Sequence, residues 1–159
     1  LFPRILWSSE RHRPKHHARA WMIKYLLDTN ICIYVIKRRP IEVLSHFNDA
    51  ADHLAISSVT LAELMHGVEK SQHVAKNLRA VEDFYSRLDV LDYGEQAAFH
   101  YGDIRAQLEK QGQPIGVNDL HIAAHARSIG ATLVTNNMKE FERVEGLRLQ
   151  NWVGEPNGS

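Results

Sequence analysis

The sequence predicts an α/β domain with three α/β/α layers and a mostly parallel central sheet. Two observations carry this. Short apolar runs bounded by turn residues alternate along the chain with longer stretches of helical period. The first run, residues 22–27, also stops abruptly on an acid, Asp28, at the carboxyl end of a first strand, where open α/β sheets place their ligands. The 159 residues suffice for one domain with a substantial core and are too few for two.

The elements follow in order. Residues 30–36 are apolar and helical, with Thr29 or Asn30 able to cap them. Lys37-Arg38-Arg39-Pro40 breaks the chain, and Pro40 suits the first turn of a second helix to about residue 51. A short strand over 54–57 precedes a helix opening at Thr60 and running to about residue 70. A longer helix over 74–87 leads into a strand over 88–91. Residues 94–111 are helical, with Ala97, Ala98, Tyr101, Ile104 and Leu108 near a 3.6-residue period. A turn-rich loop over 111–116 precedes a small-residue helix from Asn118-Asp119 to residue 128, stopped by Gly130. A strand over 131–135, a turn at Asn136-Asn137 and a last edge strand over 147–149 complete the domain at 22–153.

Composition narrows the function. The single cysteine, Cys32, excludes an internal disulfide and any multi-cysteine metal site. No apolar run approaches a membrane span, so a cytoplasmic location is expected. The net charge of zero hides an asymmetry. Residues 1–21 hold five basic residues against one acidic (+4), and the remainder fourteen against eighteen (−4). Residues 1–21 read as a basic, non-native or disordered extension with Met22 as the natural start; the alternative is an arm that touches RNA. Residues 154–159 read as a disordered tail.

Four polar groups stand at element boundaries: Asp28 after the first strand, Glu63 in the first turn after the second, Asp119 at a helix start and Asn137 after the fourth strand. A doubly wound sheet brings such positions to one edge. Oxygen ligands of this kind suit Mg²⁺ or Mn²⁺. Each has a plainer reading. Thr60 and Glu63 match a capping box, Asp119 favours a helix dipole, with Asn118 as the cap, and Asn137 is an ordinary turn residue. Asp28 is the hardest to explain without a partner, since an acid ending an apolar strand is costly to desolvate. His66, His100, His121 and His125 fall within helices and read as core or interface residues.

Leu26-Leu27-Asp28-Thr29-Asn30, Ser57-Ser58-Val59-Thr60-Leu61-Ala62-Glu63-Leu64, Gly112-Gln113-Pro114-Ile115-Gly116-Val117-Asn118-Asp119 and Val134-Thr135-Asn136-Asn137-Met138-Lys139-Glu140-Phe141 occur in an order and spacing that resemble the PIN-domain ribonucleases, specifically the VapC toxins of bacterial VapBC toxin–antitoxin pairs. The resemblance implies a metal-dependent endoribonuclease whose Mg²⁺ or Mn²⁺ is held by Asp28, Glu63 and Asp119. Asn137 stands where many PIN domains carry a fourth acid, and Glu140 is the nearby acid that would compensate. Thr29 and Asn30 match residues that orient the first carboxylate. A homodimer, a VapB-type antitoxin whose tail brings a basic residue to the acids, repression of the pair's own operon and a tRNA substrate are implied too. Lys37, Arg38 and Arg39 are candidates for steering RNA phosphates, beside the plainer reading as a solvated loop. Two competitors remain. A HAD-like phosphatase would need an acid where Asn30 stands, and a non-catalytic RNA-binding module is allowed by Asn137.

Overall fold

The computed structural model describes residues 22–154. The extension over 1–21 and all but Gly154 of the expected tail lie outside them. Five strands form one sheet in the order β3-β2-β1-β4-β5: β1 Tyr25–Leu27, β2 Leu54–Ser57, β3 Asp89–Leu91, β4 Thr132–Val134 and β5 Leu149–Gln150. Every pairing is parallel. The chain winds outward from β1 to β3, then returns to the other side of β1 for β4 and β5. The order therefore reverses between β1 and β4, which is where such sheets open a crevice at their carboxyl ends.

Successive strand residues point to opposite faces, and this alternation builds two cores. Leu27, Ile56 and Val134 face helices α1 (Thr29–Lys37), α2 (Ile41–Asp49), α3 (Ser58–Glu69) and α4 (Val74–Tyr85), where they meet Ile31, Val35, Leu64 and Val81. Leu26, Ala55 and Leu133 face α5 (Glu95–Lys110), α6 (Val117–Ser128) and α7 (Met138–Phe141), against Ile104, Leu108, Ile122 and Phe141. The result is the expected three-layer α/β/α arrangement. Leu26, Leu27 and Leu133 are fully buried. Truncating any of them to Ala would cost about 2–5 kcal/mol.

Element existence follows the sequence closely, and the ends differ for local reasons. β1 begins at Tyr25, where its register with Leu54 of β2 and Thr132 of β4 starts, rather than at Met22. Helix α1 is capped by Asp28, whose Oδ1 accepts the Ile31 N–H, rather than by Thr29 or Asn30. Pro40 is the residue before α2 and not within its first turn. Helix α3 starts at Ser58, capped by Ser57, whose Oγ accepts the Val59 N–H. Thr60 is therefore buried inside the helix and no capping box forms. Helix α6 starts at Val117 after Gly116, so Asn118 is not its cap. The last strand lies at Leu149–Gln150, with Leu147 packed on the core instead.

Candidate active site

Asp28 is 4 % exposed at the carboxyl end of β1. Its Oδ1 takes the Ile31 N–H at 3.0 Å and its Oδ2 takes the Thr135 hydroxyl at 2.5 Å. Burial pushes its pKa above the usual 3.8 despite hydrogen bonds from Thr135, Ile31 and the Asn30 backbone, and the charge of Glu63 pushes the same way. Thr135 directly follows β4, across the point where strand order reverses, and its Oγ1 also accepts the Asn137 N–H at 2.9 Å. Glu63 lies in the second turn of α3. The Thr29 hydroxyl donates to its Oε1 at 2.6 Å, and the Asn118 amide to its Oε2 at 3.1 Å.

Asp119, in the first turn of α6, has its pKa pushed from 3.8 up to about 6. Burial is the largest cause, followed by the charges of Glu140, Asp28 and Glu63, and by a hydrogen bond with Glu140 that favours the protonated form. Glu140 is thus the fourth carboxylate of the group. Asn137 belongs to it at one remove: its Nδ2 donates to Glu140 Oε2 at 3.1 Å. Among the described residues, the ion pairs join Arg87 to Asp83, Arg105 to Glu109 and Arg127 to Asp103, and none reaches these four acids.

The roles expected of the flanking residues are redistributed. Thr29 holds Glu63 rather than Asp28, because the cap turn at Asp28 aims its hydroxyl at α3. Asn30 is exposed and meets Asp28 through its backbone N–H. Thr135 and Asn118, which hold Asp28 and Glu63, have no distinguishing signal in the sequence. A threonine ending a strand is ordinary, and Asn118 read as a cap. Lys37, Arg38 and Arg39 are exposed at the far end of the nine-residue α1, about 13 Å from Asp28 along its axis. Lys37 does line a groove of about 250 Å³ that also contains Glu63, walled by Ile33, Ile36, Leu64 and Val81. Of the helical histidines, His125 is buried with Nδ1 2.8 Å from Ser57 Oγ, His121 is half-buried and His66 is exposed.

The donors are hard carboxylate oxygens, the chemistry that Mg²⁺ and Mn²⁺ select. A carboxylate offers about four acceptor sites, so Glu63 keeps capacity beyond its two hydrogen bonds. The raised Asp119 pKa reflects burial first and then the negative charges of Glu140, Asp28 and Glu63, all of which a bound cation would offset. Among the described residues, no three His, Cys, Asp or Glu side chains are drawn close enough to grip an ion as they stand. Asp28 and Glu63 are instead turned onto their hydroxyl and amide donors. The donor set fits a hard divalent cation, in an open rather than a closed arrangement.

The PIN domain family pattern matches residues 25–147. Ribonuclease VapC2 of Haemophilus influenzae is 59 % identical over 132 residues, covering 83 % of this chain and all of that protein. The chain belongs to the VapC family of PIN-domain proteins. The tRNA(fMet)-specific endonuclease VapC of Shigella flexneri is 55 % identical over 82 % of this chain and 99 % of its own length. The crystal structure of DNA-bound VapBC from Salmonella typhimurium superposes with a TM-score of 0.79 at 50 % identity, covering 82 % of this chain and 98 % of that one. VapBC2 from Rickettsia felis, bound to a promoter fragment, gives a TM-score of 0.78 at 45 % identity over 82 % of this chain and 99 % of its own. In VapC terms, Asp28, Glu63, Asp119 and Glu140 come from four separate elements at the carboxyl edge of the PIN sheet. Among the described residues, no helix is long and apolar enough to cross a membrane.

Proposed function

We propose that this VapC-family protein is the toxin of a type II toxin–antitoxin pair, an endoribonuclease that hydrolyses RNA phosphodiester bonds, with tRNA as its substrate. The observation that carries the reading is the mutual electrostatic influence of Asp28, Glu63, Asp119 and Glu140, none of which forms an ion pair among the described residues. Relatives named as ribonucleases and as tRNA(fMet)-specific endonucleases support the substrate class.

The four carboxylates would hold Mg²⁺ or Mn²⁺. A bound divalent cation lowers the pKa of a water and offsets the charge that builds on phosphate. The chain's own residues prepare that chemistry. Thr135 and the Ile31 N–H fix the Asp28 carboxylate, and Thr29 and Asn118 fix Glu63. The proton favoured between Asp119 and Glu140 leaves when the crevice takes up positive charge, so loading is proton-coupled. Lys37 lines the same groove as Glu63, where it would attract RNA phosphate. The reaction belongs in the cytoplasm, where tRNA is.

The same apolar groove suits the tail of a VapB-type antitoxin. Ile33, Ile36, Leu64 and Val81 would take apolar side chains, and a basic residue at its end would pair with Glu63 and its neighbours. VapBC complexes among the solved relatives support this partner. A homodimer is part of the proposal, with Phe99, 65 % exposed on α5, as one apolar group available to a second copy. Light scattering of the purified chain tests it. The catalytic reading is tested by incubating antitoxin-free protein with total tRNA, with Mg²⁺ or Mn²⁺, with chelator, and beside Asp28→Asn. Discrete cuts that need both metal and Asp28 are expected. RNA binding without cleavage would favour a binding module instead.

A further inference from the structure

Beside the acid crevice, three rings from three elements pack together at the surface. Tyr101 of α5 stacks on His121 of α6 with centroids 4.3 Å apart and planes 13° from parallel. Tyr93, just after β3, meets His121 edge-on at 84°, and its hydroxyl lies 2.9 Å from His121 Nδ1. Arg105, exposed one turn along α5, donates from Nη1 to the Tyr101 hydroxyl at 2.7 Å. All three rings are half-buried, so part of each remains accessible to solvent, and the Arg105 guanidinium lies 5.9 Å from the Tyr101 ring centroid.

The cluster is anchored from below and from the side. Buried His125 lies edge-on to Tyr93 and bonds Ser57, the cap of α3. The Tyr93 N–H donates to Ser58 Oγ at 3.1 Å. His121 is three residues along α6 from Asn118, hence its neighbour on the helix surface, and Asn118 donates to Glu63. The rings are therefore tied to the same sheet edge as the acids.

We propose that Tyr101, His121 and Tyr93, with Arg105, form a stacking platform for an unpaired nucleobase flanking the scissile phosphate of the RNA substrate. The inference rests on the nuclease reading and adds the specificity subsite. Proteins that read single-stranded RNA splay bases onto aromatic and histidine rings and meet the backbone with Arg. The hydrogen bonds hold these rings rigid before a ligand arrives, so little side-chain entropy is lost on stacking. Among the described residues, the ion-pair partner of Arg105 is exposed Glu109 at 3.8 Å, a weak partner that phosphate can displace. Exposed Val117, one helical turn before His121, extends the apolar surface toward the first turn of α6.

The test uses tRNA(fMet) transcripts carrying 2-aminopurine at one loop position at a time. They are mixed with the full chain bearing Asp28→Asn, so that binding is read without cleavage. Quenching at one or two positions is expected, retained in Tyr101→Phe and lost in Tyr101→Leu. In the otherwise wild-type chain, Tyr101→Leu should raise KM for tRNA cleavage about tenfold with little change in kcat, and Tyr101→Phe should restore it. Unquenched fluorescence at every position, or wild-type KM in Tyr101→Leu, would overturn the platform. So would a change in chromatographic size in Tyr101→Leu alone, which would assign the rings to a contact between copies. Absence of any metal-dependent cleavage by the wild type would instead defeat the nuclease reading, and the binding arm would still decide the platform.

Discussion

Replacing Asp119 by Asn should stabilise the metal-free protein at neutral pH while abolishing its activity. The Asp119 carboxyl rises from 3.8 to about 6 on folding, through burial and the charges of Glu140, Asp28 and Glu63. A group whose folded pKa is raised contributes stability that is fully present below the unfolded value and is lost as pH rises through the folded one. Above pH 6 the wild type has therefore given up this contribution. At about 1.4 kcal/mol per pH unit the rise is worth about 3 kcal/mol at most. Asp119 is only half-buried and gains slightly from the amino end of α6, so screening reduces the net to about 1–2 kcal/mol. Urea unfolding in chelator at pH 7.5 should show Asp119→Asn more stable by that amount. The advantage should shrink steadily as pH falls from 6 toward 4, where the wild-type carboxyl is protonated in the fold. Adding Mg²⁺ or Mn²⁺ should stabilise the wild type and leave Asp119→Asn nearly unmoved. A variant that is less stable than wild type at pH 7.5 in chelator, or equally stable at all pH values, would refute the reasoning.

Other substitutions probe the same crevice from its supports. Thr135→Val removes the hydroxyl that donates to buried Asp28, and should cost about 2 kcal/mol in urea unfolding and at least tenfold in RNA cleavage. Thr29→Val releases Glu63 from its 2.6 Å hydrogen bond, and should lower cleavage more than it lowers Tm. His125 has its pKa lowered by burial, so its contribution has the opposite sign to that of Asp119: the fold loses stability as pH falls below about 6.5, the ordinary histidine value. His125→Phe should remove that loss, measured as the difference between the two proteins' unfolding midpoints from pH 7.5 to 5. Lys37→Ala should weaken RNA binding uniformly and flatten its salt dependence, read by titrations at several salt concentrations.

Asp28 was legible in the sequence because an acid that ends an apolar strand has few plain explanations, and the structure buries it where the strand order reverses. β2 was legible to the residue, since 54–57 is an apolar run with sharp ends. Glu63 stayed ambiguous for a reason of register. A helix starting at Thr60 would have used it in a cap, and only the two-residue earlier start at Ser58 frees its carboxylate for Thr29 and Asn118. Glu140 was nameable but not placeable, because its meeting with Asp119 depends on the single turn of α7 that follows Asn137. Thr135 was invisible, since its importance lies in a contact spanning 107 residues and threonine is common in strands. The Tyr101–His121 stack was hidden for the same reason, and periodicity read Tyr101 only as an inward position on α5.

The central claim is that Asp28, Glu63, Asp119 and Glu140 form one divalent-cation site. The most direct measurement is calorimetric titration of Mn²⁺ into chelator-treated protein near pH 6, in two buffers of different ionisation enthalpy. Saturable binding with proton release is expected, lost in Asp28→Asn, weakened in Glu140→Gln, and without proton release in Asp119→Asn. Mn²⁺ binding that is absent in the wild type, or unchanged across these variants, would contradict it.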